Sequence, residues 1–151
     1  METYVVSEFK MGNFNPSEWW LDSSATRHVC VDRALFVELA LDETKEKLCM
    51  GNLTTSEVKG QGTIFLKMTS GKELKLNNVL FVPDFKKNLI SSSLLSKHGF
   101  KMVFESNEIM LSKSGILVGK GYVKDGMWKM NTVITKPNLV IDNKRKSSTY
   151  A

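Results

Sequence analysis

Residues 62–83 read GTIFLKMTSGKELKLNNVLFVP, with apolar side chains alternating at Ile64, Leu66 and Met68 and again at Leu74 and Leu76. A period of two places each set on one face of a strand. Ser70-Gly71 lies midway between the two runs, where glycine supplies the backbone angles of a tight hairpin turn. Val79-Leu80-Phe81-Val82 then runs without alternation, which predicts a strand buried on both faces, and Pro83 stops it. In NLISSSLLSKHGF (88–100), Leu89-Ile90 ends a strand and Ser91 to Ser93 can cap a short helix through Leu94, Leu95 and Lys97. Gly99 suits its left-handed exit, and His98 can donate to the last carbonyls. Beyond it FKMVFE, EIMLSKSGILVGKGYV and GMWKMNTVI read as strands joined by Ser-Gly, Gly-Lys-Gly and Asp-Gly turns. Short strands with one short helix predict a mostly β domain, a small barrel or sandwich.

Composition changes this picture little. At 151 residues, 42% hydrophobic and 25% charged, the chain fits one globular domain with a core of ordinary size. No apolar run approaches the roughly 18 residues of a membrane span, and the first residues, METYVVSE, carry acids where a signal peptide has basic ones. These features predict an intracellular, cytoplasmic protein with no membrane partner. Cys30 and Cys49 have neither metal-ligand nor disulfide spacing and are expected to be buried apolar thiols. Charge is uneven: residues 1–60 hold 6 basic and 10 acidic side chains, residues 61–151 hold 15 and 6. The basic half could attract nucleic acid. Its lysines are spread singly, however, and only Lys144-Arg145-Lys146 clusters, so a solvated face is the expected reading.

The candidate chemistry lies in EWWLDSSATRHVC (18–30), where Trp19-Trp20-Leu21 leads directly into Asp22. A solvated loop acid needs no such approach; a carboxylate held at the end of a buried strand does. No paired His supports a metal site and no Gly-rich loop supports a phosphate cradle. Ser23, His28 and Asp32 lie too close on one extended segment to converge as a triad. One architecture needs a single acid per chain: two subunits each supply one Asp across a two-fold axis, and the pair shares a proton. One carboxylate activates water while its protonated partner donates to the scissile carbonyl. No metal or other cofactor takes part.

Leu21-Asp22-Ser23-Ser24-Ala25 resembles the Asp-Ser/Thr-Gly-Ala loop of the retropepsins, and the wider chain resembles the protease region of copia-type LTR retrotransposon Pol polyproteins. Trp20 to His28, Val58 to Thr63 (Val-x-Gly-x-Gly-Thr), Leu76 to Pro83, Asn88 to Ser91 and Leu94 to Gly99 match that family's segments in order. The resemblance implies a retropepsin-like closed β-barrel over 18–100 with one short helix. A 1–17 linker precedes it; a β-hairpin extension at 101–136 and a flexible polar tail at 137–151 follow. It implies Asp22 as the catalytic aspartate, Ser23 as the hydroxyl that buttresses paired loops, and Ser24 and Ala25 as the rest of the active-site loop. Leu89, Ile90 and Ser91 match the segment beneath that loop, and Met50-Gly51-Asn52-Leu53-Thr54 falls where the flap tip would lie. It further implies a homodimer that cuts extended peptide segments of a polyprotein.

Residue 24 departs from the pattern, which has glycine there. A serine adds a hydroxyl and a Cβ, and a positive φ at that position would strain it by about 1–2 kcal/mol. The departure sustains a second reading, a catalytically inactive β-barrel that binds a protein partner or persists as a fragment. Trp19, Trp20 and His28 read as packing residues rather than substrate readers.

Overall fold

In a computed structural model, residues 15–41, 46–50, 54–133 and 148–150 are described. The 1–17 linker and the polar tail, with its Lys144-Arg145-Lys146 cluster, lie mostly outside them. The apolar approach WWL forms β1 (Trp19–Asp22), and after a turn the chain returns as β2 (Val29–Cys30). A single 3-10 turn at Arg33–Leu35, capped by the Asp32 side chain, leads into β3 (Phe36–Leu41). β4 (Lys47–Met50) and β5 (Thr54–Glu57) pair with each other as a separate two-stranded sheet. The alternating segments form β6 (Gly60–Lys67) and β7 (Glu73–Phe81), joined through Gly71 at φ 92°.

β8 (Asn88–Ser91) runs straight into the helix α1 (Ser92–Lys97). Ser91 caps α1 by accepting from the Leu94 amide, Nδ1 of His98 lies 2.8 Å from the Leu94 carbonyl, and Gly99 leaves at φ 90°. A meander of β9 (Phe100–Glu105), β10 (Glu108–Lys113), β11 (Ile116–Lys124) and β12 (Met127–Met130) follows. Its Ser114-Gly115 and Asp125-Gly126 turns all have positive φ, as two-residue hairpins require.

The topology turns on β8, which lies parallel to β1 on one side and antiparallel to β2 on the other. The strand that carries Asp22 and the strand that leaves its loop are thus held apart by a third, non-sequential strand. All three, with the end of β7, are covered on both faces. Trp19, Leu21, Cys30, Val79, Phe81 and Ile90 face one core; Trp20, Val29, Leu80, Val82 and Leu89 face the other. Each such side chain contributes on the order of 2 kcal/mol by leaving water.

Three expectations are corrected. A closed barrel is not formed: among the described residues the strand path runs β3-β6-β7-β2-β8-β1-β12-β11-β10-β9 and stays open at its ends. The free edge of β1 is taken by β12, so the sheet continues into the meander, and a lone bridge between Met68 and Thr132 ties β6 back to the chain after β12. Gly119-Lys120-Gly121 is no turn but the middle of β11. A Cβ on Gly121 would stand 2.4 Å from the Lys129 carbonyl oxygen, so glycine there serves close strand approach. Cys30 is buried as expected, with its thiol pushed up to about 12 by burial, but Cys49 on β4 is exposed. Within the 137–151 segment, Ser148–Tyr150 forms β13, parallel to β7.

Candidate functional site: the Asp22 loop

Asp22 is the last residue of β1, the first in that strand to emerge from burial. Its Oδ1 accepts from the Ser24 amide at 2.8 Å and from the Ser24 hydroxyl at 2.7 Å. The loop therefore closes over its own carboxylate, and the serine hydroxyl is a donor that a glycine would not bring. Ser24 is not among the described non-glycine residues with positive φ, so the backbone strain considered above does not arise. Ser23 is exposed at the turn, Ala25 half-buried.

The loop is fastened from below by β8. Ser91 stands opposite Asp22 in the parallel register and is fully buried. Its hydroxyl donates to the Ala25 carbonyl at 2.6 Å and accepts from the Leu94 amide at 3.2 Å. One side chain thus ties the Asp22 loop to the start of α1. Leu89 and Ile90 pack on opposite faces beneath the loop.

Two further side chains complete the support, and neither was assigned such a role from sequence. Asn88 is fully buried; its amide nitrogen donates to the carbonyls of Pro16 (2.6 Å) and Glu18 (3.0 Å), and its oxygen accepts from the Val31 amide (2.9 Å). It joins the approach to β1 with the exit from β2. The readable signal was an amide heading an otherwise apolar buried strand, where every polar group must find partners. His28 is 1% exposed and accepts the Ser91 amide on Nδ1 at 3.0 Å. Burial first, then electrostatic interaction with His98 and Arg27, brings its pKa down to about 4, so the ring is neutral near pH 7. Arg27 reaches the other way, to the Gln61 side chain at 2.6 Å and the Asn78 carbonyl at 3.1 Å.

The Ser23, His28 and Asp32 combination is not assembled, since His28 serves Ser91 and Asp32 caps the Ala34 amide at 2.9 Å. Of the flap segment, Met50 and Thr54 pair at the end of the β4–β5 hairpin, while Gly51, Asn52 and Leu53 lie outside the described residues. Among the described residues no group of three His, Cys, Asp or Glu side chains could hold a metal, and no helix is long and apolar enough to cross a membrane.

The Val-x-Gly-x-Gly-Thr segment acquires a physical meaning in this setting. A Cβ on Gly62 would stand 1.9 Å from the Glu38 carbonyl oxygen, where β3 and β6 shift register. A strand carrying side chains there could not pair so closely. The family model described as "Pol polyprotein, beta-barrel domain" matches residues 19–100, from the first residue of β1 to the first of β9. The chain belongs to the Pol polyprotein β-barrel domain family.

Similar curated proteins agree with the copia-type reading. The retrovirus-related Pol polyprotein from transposon TNT 1-94 of Nicotiana tabacum is 31% identical over 123 residues, 82% of this chain and 9% of that protein. Those from transposons RE1 and RE2 of Arabidopsis thaliana are 25% and 28% identical, over 91% and 77% of this chain and 10% and 8% of their own lengths. The chain therefore spans about a tenth of the polyproteins it matches. No solved structure gives a significant match.

Proposed function

We propose that this Pol β-barrel domain is an aspartic endopeptidase unit acting on extended segments of a polyprotein, with the Asp22 carboxylates of two copies forming the dyad. The observation that carries this reading is the mounting of Asp22: it stands at the end of a strand buried on both faces, and its loop is tied to β8 through Ser91 and Ala25. A solvated turn would not need that fastening. The chemistry follows from proximity. Two carboxylates at hydrogen-bond distance hold one proton between them; the ionised one takes a proton from water as the oxygen attacks, and the protonated one donates to the carbonyl oxygen. The β4–β5 hairpin, with 51–53 at its tip, is the element proposed to cover the peptide.

The inactive-module reading is favoured by one observation, the Ser24 hydroxyl on Asp22 Oδ1. That donor competes with water or a partner carboxylate for the same oxygen. Cleavage of a mixed peptide library at about pH 5 by the native chain, Ser24→Gly and Asp22→Asn separates the two. Asp22→Asn is expected to leave the fold intact and to lower any turnover on the order of 10²–10⁴-fold. Ser24→Gly is expected to raise turnover by removing the hydroxyl donor from Oδ1 while the residue-24 amide stays on it. Cleavage by a monomer, or undiminished cleavage by Asp22→Asn, would remove the dyad; no cleavage by any of the three would leave the interaction module as the function.

A further inference from the structure

His28 is a buried titratable group for which the peptidase reading has no use. Its Nδ1 accepts the Ser91 amide, and its Nε2 has no hydrogen-bond partner among the described residues. A backbone N–H can be received only by an unprotonated ring nitrogen, so the ring proton resides on Nε2. A somewhat larger phenylalanine could pack here without the unpaired Nε2–H, but it would leave the buried Ser91 amide without its acceptor. Packing alone therefore does not account for an imidazole here. What the imidazole adds is one acceptor, delivered to the residue of β8 that stands opposite Asp22.

From that residue the path to the carboxylate is short. With its amide held by His28, Ser91 is fixed in the orientation that lets its hydroxyl donate to the Ala25 carbonyl. Ala25 lies three residues from Asp22 in the same loop. We propose that His28 is a positioning residue for Asp22, acting through Ser91 and Ala25; the catalytic part of this inference rests on the peptidase reading. His28 moves no proton and touches no substrate. Its contribution is to hold the loop that sets where the carboxylate meets its two-fold partner.

The test has parts that do not depend on cleavage. Nitrogen NMR of the native chain at neutral pH is expected to show His28 protonated on Nε2 and bare on Nδ1; a proton on Nδ1 overturns the proposal whether or not any variant folds. His28→Phe is then compared with Leu111→Ala, a truncation in the core of the meander. Exchange of the Ser91 amide is expected to be at least about tenfold faster in His28→Phe than in Leu111→Ala at matched global stability. The Asp22 carboxyl carbon and Ala25 signals are expected to move in His28→Phe and to return towards native positions in His28→Gln, which restores an acceptor. Equal changes in His28→Phe and Leu111→Ala overturn the proposal. In whichever background cuts peptide, native or Ser24→Gly, His28→Phe is expected to lower kcat about tenfold or more with KM little changed. Unchanged kcat overturns the link to catalysis. If neither background cuts, the peptidase reading fails, and the exchange and carbon data still decide whether His28 holds the Asp22 loop.

Discussion

At the scale of single residues, a buried imidazole that accepts a backbone N–H must stay neutral to do so. His28 titrates at about 4 in the folded chain against an ordinary 6.5. Between these values the unfolded chain binds the proton and the folded chain does not. Its contribution to stability is therefore fully present above pH 6.5 and is lost as pH falls towards 4, a loss of about 3 kcal/mol. Urea midpoints measured from pH 7 down to pH 4 are expected to fall accordingly, and less steeply in His28→Phe. An identical pH profile in the two chains would contradict this assignment. The same arithmetic constrains the proposed chemistry: the acidic range that suits a carboxylate dyad is where the Asp22 loop loses part of its support. Asp22 was legible in sequence because a carboxylate behind Trp-Trp-Leu is unusual. The use made of Ser24 was not, since nothing local says that its hydroxyl turns back on Oδ1.

At the scale of elements, Ser91 is where strand, helix and loop meet. α1 has six residues, too few to persist alone, so its start depends on the cap that the Ser91 hydroxyl supplies. Ser91→Ala removes that cap and leaves the Ala25 carbonyl without its 2.6 Å partner, which is expected to cost about 2–3 kcal/mol. Thermal denaturation measures the loss, and a change below about 0.5 kcal/mol would show that the loop finds other partners. The hairpins and the helix were readable because alternation, Gly turns and Ser caps are local signals. Gly119 and Gly121 were misread as a turn for the complementary reason. Glycine that makes room for a neighbouring side chain or backbone, Met68 at Gly119 and Lys129 at Gly121, has the same local appearance as glycine that bends the chain.

At the scale of the whole molecule, the sheet does not respect the limit at residue 100. Ile109, Leu111, Val118 and Met130 belong to the same buried cluster as Trp19, Leu21 and Ile90, and β12 occupies the edge of β1. Glu18, at the start of β1, also pairs with Lys129 at 3.2 Å. A chain cut after residue 100 would bare one edge of the Asp22 strand and one wall of the core. That fragment is expected to lose cooperative unfolding and the peak dispersion of a packed core, whereas a chain ending at residue 133 retains both. A well-folded 15–100 fragment would show instead that the meander is an appendage. The +9 excess of residues 61–151 includes the Lys144-Arg145-Lys146 cluster, which lies outside the described residues.

By itself the sequence determined the β6–β7 hairpin, most of the strands and turns after residue 100, the short capped helix and the family, and it singled out Asp22 as the carboxylate on which the proposed chemistry would rest. These follow from periodicity, from the few residues able to turn or cap a chain, and from motifs in a preserved order. Only the tertiary structure decided what surrounds that carboxylate. The insertion of β8 between β1 and β2 and the approach of Ser91 to Ala25 join residues sixty or more positions apart. So does the hold of His28 on Ser91, while the pairing of β12 with β1 reaches further still along the chain. Such contacts leave no local periodicity. They exist because a strand buried on both faces must satisfy its backbone polar groups from neighbours distant in sequence.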